Sequence, residues 1–416
     1  MTTVGASPDS RIQLHDLACR PDGQEWIVGR AATGEFVCLP AEAMTFLGVL
    51  RAGGTVAAAK RRTDLAHDAD VDALDFVSDL IGLGFVAAVD GERIAGEQAR
   101  PPSLPWLRPG HVSWLFRAPV LVAVAAFIAA GITVAAVTGS FPGYSAFFAL
   151  PWPGLTCVLA AVICMAILAL HEFCHLAAAR AAGVDGWFGW GTRLFFLVAQ
   201  TSVPGLWLAS RGVRLRVFLA GMTSDLVIFS ACSMGMASTP VAGTAHRVLA
   251  LASLIALLGV VEQFLFYMRT DVYLVVQELA GCKNLFGDAT EYLRHLAGRL
   301  TRRPAPARPS PLIGLPPAER RPVQIYAAVV LAGCAATVPV IAFYGIPVEI
   351  GVYVRAVHEL ARGLSSSHVA SVADAAGVLT VSLLVQALLV RTMLRTYRPQ
   401  LSRLLQPVRR RARRHR

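Results

Sequence analysis

Six apolar stretches, at about 118–138, 154–182, 216–237, 247–280, 322–343 and 370–392, decide what this chain can become. Each is long enough to form a helix across a hydrocarbon core, which takes about 20 residues. Inside a bilayer the backbone has to pair its own polar groups, so helices are the expected form. The 416 residues are 55% hydrophobic with a mean hydropathy of +0.55, above what a soluble domain carries. The expected fold class is a polytopic α-helical membrane protein of about six transmembrane helices, with a small soluble domain ahead of them.

Charge placement adds an orientation. The net charge is +11 and the pI about 9.7. The basic residues are not interleaved with aromatics on a soluble face, so nucleic acid is not an expected partner. They gather beside the apolar runs and in a tail that includes Arg409, Arg410, Arg411, Arg413, Arg414 and Arg416. Arg100, Arg108 and Arg117 precede the first run, whereas 139–153 has no Lys or Arg. Arg193, Arg211 and Arg214 follow the second run, and 281–321 holds eight basic residues from Lys283 to Arg321. Basic and non-basic loops alternate, which predicts a multi-pass protein of the cell membrane with both termini in the cytoplasm. Arg355 and Arg362 in the expected outer loop 344–369 break the alternation once. Met1 to Ser10 carry no apolar signal segment, so the N-terminal domain is expected to stay in the cytoplasm. The eight cysteines show no paired spacing, which argues against a disulfide framework or a Cys-type zinc site.

Ahead of the apolar runs, residues 1–10 read as a disordered N-terminus and 11–92 as a small α+β domain. Arg11 to Leu17, Glu25 to Arg30 and Glu35 to Leu39 read as strands, separated by Pro21-Asp22-Gly23 and Thr33-Gly34. Helices are expected near 40–51, 55–66 and 70–82, the last capped by Asp70. Val71, Leu74, Val77 and Leu80/Ile81 give that third helix one apolar face. Pro101, Pro102, Pro105 and Pro109 mark 93–117 as a linker. The membrane domain is expected over 118–398 and a basic cytoplasmic tail over 399–416.

The second apolar run holds His171-Glu172-Phe173-Cys174-His175, an H-E-x-x-H pattern. Residues four apart share one face of a helix, so His171 and His175 can offer two imidazole nitrogens to one ion. Glu172 lies beside them as a base. Zinc-assisted peptide hydrolysis needs two neutral nitrogen ligands, a third ligand, an open position for water and a base. Ionisable groups at membrane depth are costly and point to function. The third ligand has candidates in Asp225, Glu262 and Asp271. Gly183 and Gly281 suit the residue just past a helix end. At a helical rise of 1.5 Å per residue, His171, His175, Asp271 and Asp225 all lie about 12–18 Å from the cytoplasmic ends of their helices, and Glu262 deeper. Depth therefore leaves Asp271 and Asp225 both open, one as ligand and the other supporting a ligand or touching substrate. Segment 184–212, with Trp187, Phe188 and Trp190 among Gly186, Gly189 and Gly191, is either an interfacial loop with aromatic anchors or a re-entrant hairpin offering an edge to an extended substrate.

These motifs resemble those of the site-2 protease family of membrane zinc metallopeptidases, in particular a bacterial branch of peptide zinc metalloproteases. His171-Glu172-Phe173-Cys174-His175-Leu176-Ala177 resembles the first family motif, and Ala220-Gly221-Met222-Thr223-Ser224-Asp225 the motif on the following helix. Arg269-Thr270-Asp271-Val272-Tyr273, with Asn284-Leu285 beyond it, resembles the T-D-G-Y and N-L motif, with Val272 in place of the usual Gly. The resemblance covers about 154–295. It implies Zn2+ held by His171, His175 and Asp271, Glu172 as the catalytic base, and Asp225 in a supporting or substrate-touching role. Trp26-Ile27-Val28, Gly34 to Leu39, Gly53-Gly54-Thr55 and Asp72 to Phe85 resemble PqqD-like recognition elements, which are winged-helix-like and bind leader peptides of ribosomally made, modified peptides. That resemblance implies a peptide-binding strand at Glu35, Phe36, Val37, Cys38 and Leu39, facing a helix at Asp72–Leu83.

The expected function is a membrane-embedded zinc endopeptidase that cleaves a peptide precursor captured by its N-terminal domain. The expected partners are a peptide or protein substrate and the lipid bilayer. Two alternatives are an intramembrane protease releasing a membrane-tethered regulator, and a non-proteolytic escort or immunity protein. The complete His171, Glu172, His175 and Asp271 set argues against the escort.

Overall fold

A computed structural model of the chain describes residues 6–23, 25–68, 70–94, 101–193, 196–300 and 310–412. The chain divides into two compact units. One gathers the N-terminal 113 residues with Ala179–Trp187 and Ser202–Arg214; the other holds the remainder.

The first unit opens with β1 (Ile12–Leu14), β2 (Ala18–Asp22), β3 (Glu25–Arg30) and β4 (Glu35–Pro40). It continues through α1 (Ala41–Arg51), α2 (Val56–His67), α3 (Ala73–Gly82), β5 (Val86–Val89) and β6 (Glu92–Arg93). Strands β2, β3 and β4 form an antiparallel meander with Cys19, Val28 and Val37 in register. Strand β1 pairs instead with β5, Ile12 opposite Val89, in a second sheet ordered β1-β5-β6. Side chains alternate across a strand. Val28 therefore joins the core with Phe46, Leu47, Leu50, Val56, Val77, Leu80 and Phe85, all nearly inaccessible to solvent.

Several expectations for this unit are corrected. The strand expected over Arg11 to Leu17 shortens to β1, and β2, which takes in Pro21 and Asp22 of the expected turn, β5 and β6 were not foreseen. Alternation across 86–93 is too brief to stand out, and β5 exists because β1 pairs with it across the whole domain. Asp72, not Asp70, caps α3, its Oδ1 accepting from Asp75 N at 3.1 Å. Asp70 is paired with Lys60. Residues 1–5 of the expected disordered terminus lie outside the described residues, but Ala57 N donates to Pro8 O at 2.7 Å and Ser10 is buried. Within the expected linker, α4 (Pro109–Val112) forms a helical turn.

The same unit fastens the meander to Pro204–Leu208, a 3-10 turn. Arg20 Nη1 donates to the carbonyls of Trp207 and Ala209. Gly34, with φ of 82°, lies so near Pro204 that a Cβ there would meet the proline ring.

The second unit contains the long helices. They are α5 (Ala118–Thr138), α6 (Pro153–Ala181), α7 (Arg211–Ala237), α8 (Thr244–Gln263), α9 (Asp271–Ala280), α10 (Leu285–Leu300), α11 (Pro317–Val340), α12 (Ile346–Ser366) and α13 (Val369–Ala412). Strands β7 (Trp187–Arg193) and β8 (Phe196–Ser202) pair with each other. Among the described residues, six helices are long and apolar enough to cross a membrane: α5, α6, α7, α8, α11 extended to Phe343, and the part of α13 up to Arg395. Gly131 of α5 lies against Ser230 of α7, where a Cβ would come within 2.2 Å of the serine Cβ. Asp374 Oδ1 accepts from Leu155 N at 3.1 Å, so α13 supplies a partner for the first turn of α6.

The run predicted as one span over 247–280 is two helices. Helix α8 stops at Gln263, a 3-10 turn follows at Phe266–Met268, Arg269 takes the left-handed conformation (φ 61°), and α9 starts at Asp271. Thirty-four residues exceed one bilayer crossing, and the Thr270-Asp271 pair suits a helix start. The outer loop expected over 344–369 is helical: α11 passes through a π turn at Ile341–Gly345 into α12. Helix α12 doubles back onto α13 through Ser367, which has positive φ. The tail expected over 399–416 is, in its described part, the end of α13.

Candidate metal centre

Helix α6 carries the H-E-x-x-H residues in its last three turns. The four-residue spacing stacks the two imidazoles with ring centroids 4.9 Å apart. Their Nε2 atoms face each other at 3.2 Å. Asp271, the first residue of α9, brings Oδ2 to 3.0 Å from both. The break between α8 and α9 is what puts a carboxylate here, at the start of a helix instead of along its side. Gln263, the last residue of α8, holds the restart: its Oε1 accepts from Asp271 N at 3.0 Å. Val272, the next residue, is the second of α9.

The other ring nitrogens fix the tautomers. His175 Nδ1 lies 2.7 Å from the Val217 carbonyl, which can only accept, so Nδ1 carries the proton. His171 Nδ1 lies 2.7 Å from Asp225 Oδ2, which likewise orients it as a donor. Both Nε2 lone pairs then converge on one point together with a carboxylate oxygen. Three electron-rich atoms so placed repel one another unless a cation sits among them. Ligands about 2.0–2.1 Å from a tetrahedral zinc ion are about 3.3 Å from each other. The observed separations of 3.0–3.2 Å fit that donor set. His171, His175 and Asp271 are the metal-ligand cluster found among the described residues.

The space is made by glycine. A Cβ on Gly221 of α7 would fall 2.4 Å from both Nε2 atoms, so no side chain fits at that position. One turn further along α7, Asp225 is 2% exposed and meets the far side of the His171 ring, outside the three-atom cluster. Gly259 of α8 approaches the same carboxylate: a Cβ there would stand 3.3 Å from Asp225 Oδ2. Glu262 is exposed in the last turn of α8 and stays outside the cluster. Arg269 stacks its guanidinium over the Phe286 ring at 5.1 Å. Asn284 Oδ1 accepts from Gly287 N at 3.2 Å, holding the first turn of α10.

Glu172 is buried, and its Oε2 accepts from Thr201 Oγ1 on β8 at 2.7 Å. Sequence reasoning missed Thr201 and the Val217 carbonyl. A single threonine in a hairpin has no spacing signature, and a backbone carbonyl has none at all. Within segment 184–212, β7 and β8 pair as neighbours in a two-stranded sheet, ahead of the turn at Pro204–Leu208.

In the N-terminal unit, Glu35, Phe36, Val37, Cys38 and Leu39 form β4, the outermost strand of the meander. Val37 and Leu39 pack inward against the core of this unit. Comparison with known proteins finds no matching family model, no matching curated protein and no matching solved structure.

Proposed function

We propose that this chain is a multi-pass membrane zinc endopeptidase of the site-2 protease type, cutting a peptide precursor that its N-terminal domain captures. The observation that carries the reading is the convergence of His171 Nε2, His175 Nε2 and Asp271 Oδ2 within 3.2 Å, with Glu172 alongside. Two imidazoles and one carboxylate are a hydrolytic zinc set that leaves a position open. The bound metal would polarise the scissile carbonyl and make water more acidic. Glu172 takes the proton from the attacking water and returns it to the leaving amine. Asp225 and the Val217 carbonyl keep the two imidazoles turned toward the ion. The β7–β8 hairpin beside Glu172 suits an extended substrate, which a strand edge binds through its main chain. The β4 edge offers the same mode of binding to a leader segment. Six apolar helices and alternating basic loops support a cell-membrane location with both termini in the cytoplasm.

Metal analysis of purified protein tests the centre: one zinc per chain is expected. Asp271→Ala should lose the metal, and Asp225→Asn should only weaken affinity, by about 10–100-fold. The opposite order would sink the ligand assignment. Glu172→Gln should keep zinc and lose cleavage, because an amide cannot accept the proton. Val37→Pro tests the capture step: it removes a strand donor, so it should weaken binding of the peptide encoded beside the gene and spare the zinc. Unchanged binding and unchanged cleavage of dilute precursor would favour release of a membrane-tethered regulator instead.

A further inference from the structure

We propose that Thr201 is the positioning residue for the Glu172 base, so that the β7–β8 hairpin aims the carboxylate; this rests on the hydrolase reading above. Glu172 has three rotatable side-chain bonds, and holding such a chain in one rotamer costs conformational entropy. A base that must meet a water oxygen needs that rotamer fixed in advance, because misplacement by about 1 Å can cost 10²-fold in rate. Thr201 Oγ1 lies 2.7 Å from Glu172 Oε2 and 3.1 Å from the Glu172 carbonyl oxygen. A hydroxyl has one proton, and the shorter approach to a charged acceptor takes it. The strand makes this geometry specific. A Cβ on Gly191 of β7 would meet the Gln200 side chain at 3.1 Å, so Gln200 points to the Gly191 side of the hairpin. Neighbouring residues on a strand point to opposite faces, which turns Thr201 toward Glu172.

The hydroxyl occupies Oε2 and leaves Oε1 for the chemistry. There an O–H bond of the attacking water breaks, its proton passes to Oε1, and the oxygen bonds to the substrate carbonyl carbon. When the C–N bond breaks, the same proton goes to the leaving nitrogen, and Glu172 returns to its starting state. Thr201 neither gains nor loses a proton. It sets where Oε1 points, and a substrate strand seated on the hairpin presses on the residue that aims the base.

The test uses the purified full chain with zinc bound. Subtracting the infrared spectrum of Glu172→Gln from the wild-type spectrum isolates the Glu172 carboxylate band. Thr201→Val, which keeps the shape and removes the hydroxyl, should shift that band, and Thr201→Ser should return it to the wild-type frequency. With fluorescein-labelled casein as probe, Thr201→Val should lower kcat by about 10–100-fold with KM and zinc content unchanged, and Thr201→Ser should recover most of it. An unshifted band in a zinc-replete Thr201→Val protein overturns the proposal. So does an equal loss in the valine and serine variants. Full turnover by Glu172→Gln would instead remove the base itself, and with it the hydrolase reading, whatever Thr201 does.

Discussion

The N-terminal domain and the long helices sort the same residue types in opposite ways. In the domain the large apolar side chains are inside: Phe46, Leu47, Val77 and Leu80 are fully buried. In the helices many large apolar side chains are outside: Leu383 and Leu384 are 60% exposed and Val137 81%, although Phe229 and Leu251 are buried. Beside those two, the helices bury small and polar residues. Ser230 and Ser233 are fully buried, donating to the carbonyls of Ile128 and Phe229. A core surrounded by water excludes polar groups. A bundle surrounded by hydrocarbon gains nothing from hiding leucine, and it packs through small residues and internal hydrogen bonds instead. His171, Glu172, His175 and Asp225 are buried in the same helices.

Changes made in pairs, one on each side, sharpen or break that contrast. The largest effect is expected from glycine. Gly221→Ala puts a Cβ 2.4 Å from both ligand nitrogens, so zinc content should collapse and cleavage fall on the order of 10²-fold or more. Gly48→Ala in α1 meets nothing within 4 Å and should stabilise the domain by about 0.5–1 kcal/mol. Metal analysis and thermal unfolding read the two.

Next comes Leu47→Ala, which empties part of the domain core and should cost about 2–5 kcal/mol, seen as faster proteolysis of the N-terminal domain with zinc retained. Somewhat smaller is Leu383→Arg, at the middle of the apolar part of α13. It should cost about 2.5–3.5 kcal/mol of membrane insertion, read in a translocation assay. The smallest effect is expected of Leu65→Arg on the domain, where the leucine is 86% exposed: within about 0.5 kcal/mol in unfolding experiments. Equal tolerance of arginine at 383 and 65 would mean that water surrounds both, and the contrast would fail.

The parts of the molecule legible in the sequence are those whose physics repeats along the chain. Helical spacing brought out His171 and His175, and length alone brought out most of the apolar helices. A carboxylate on a later apolar run singled out Asp271 and Asp225 without separating them. Their separation needed the break after Gln263, and that break follows from three-dimensional pairing: Gln263 Oε1 holding Asp271 N. Strand β5 was hidden for the same reason, since its partner β1 precedes it by about 75 residues. Thr201 and the Val217 carbonyl were beyond reach because a hydrogen bond made once leaves no period to detect.

The grip of Arg20 on the turn at Pro204–Leu208 bears on how such a protein could be remodelled or could evolve by exchange of parts. A foreign recognition domain joined at residue 113 would arrive without Arg20 and without the bare α-carbon of Gly34. The Trp207 carbonyl would lose its guanidinium, while that of Ala209 would keep Arg214 at 2.7 Å. Pro204 would have to find a new notch. The transplantable piece is therefore discontinuous: the N-terminal residues travel with Ala179–Trp187 and with Ser202–Arg214, the latter starting 89 positions beyond Ser113. Chimeras that move both together should assemble, and chimeras cut at the end of the N-terminal domain alone should carry a loosened turn just ahead of α7.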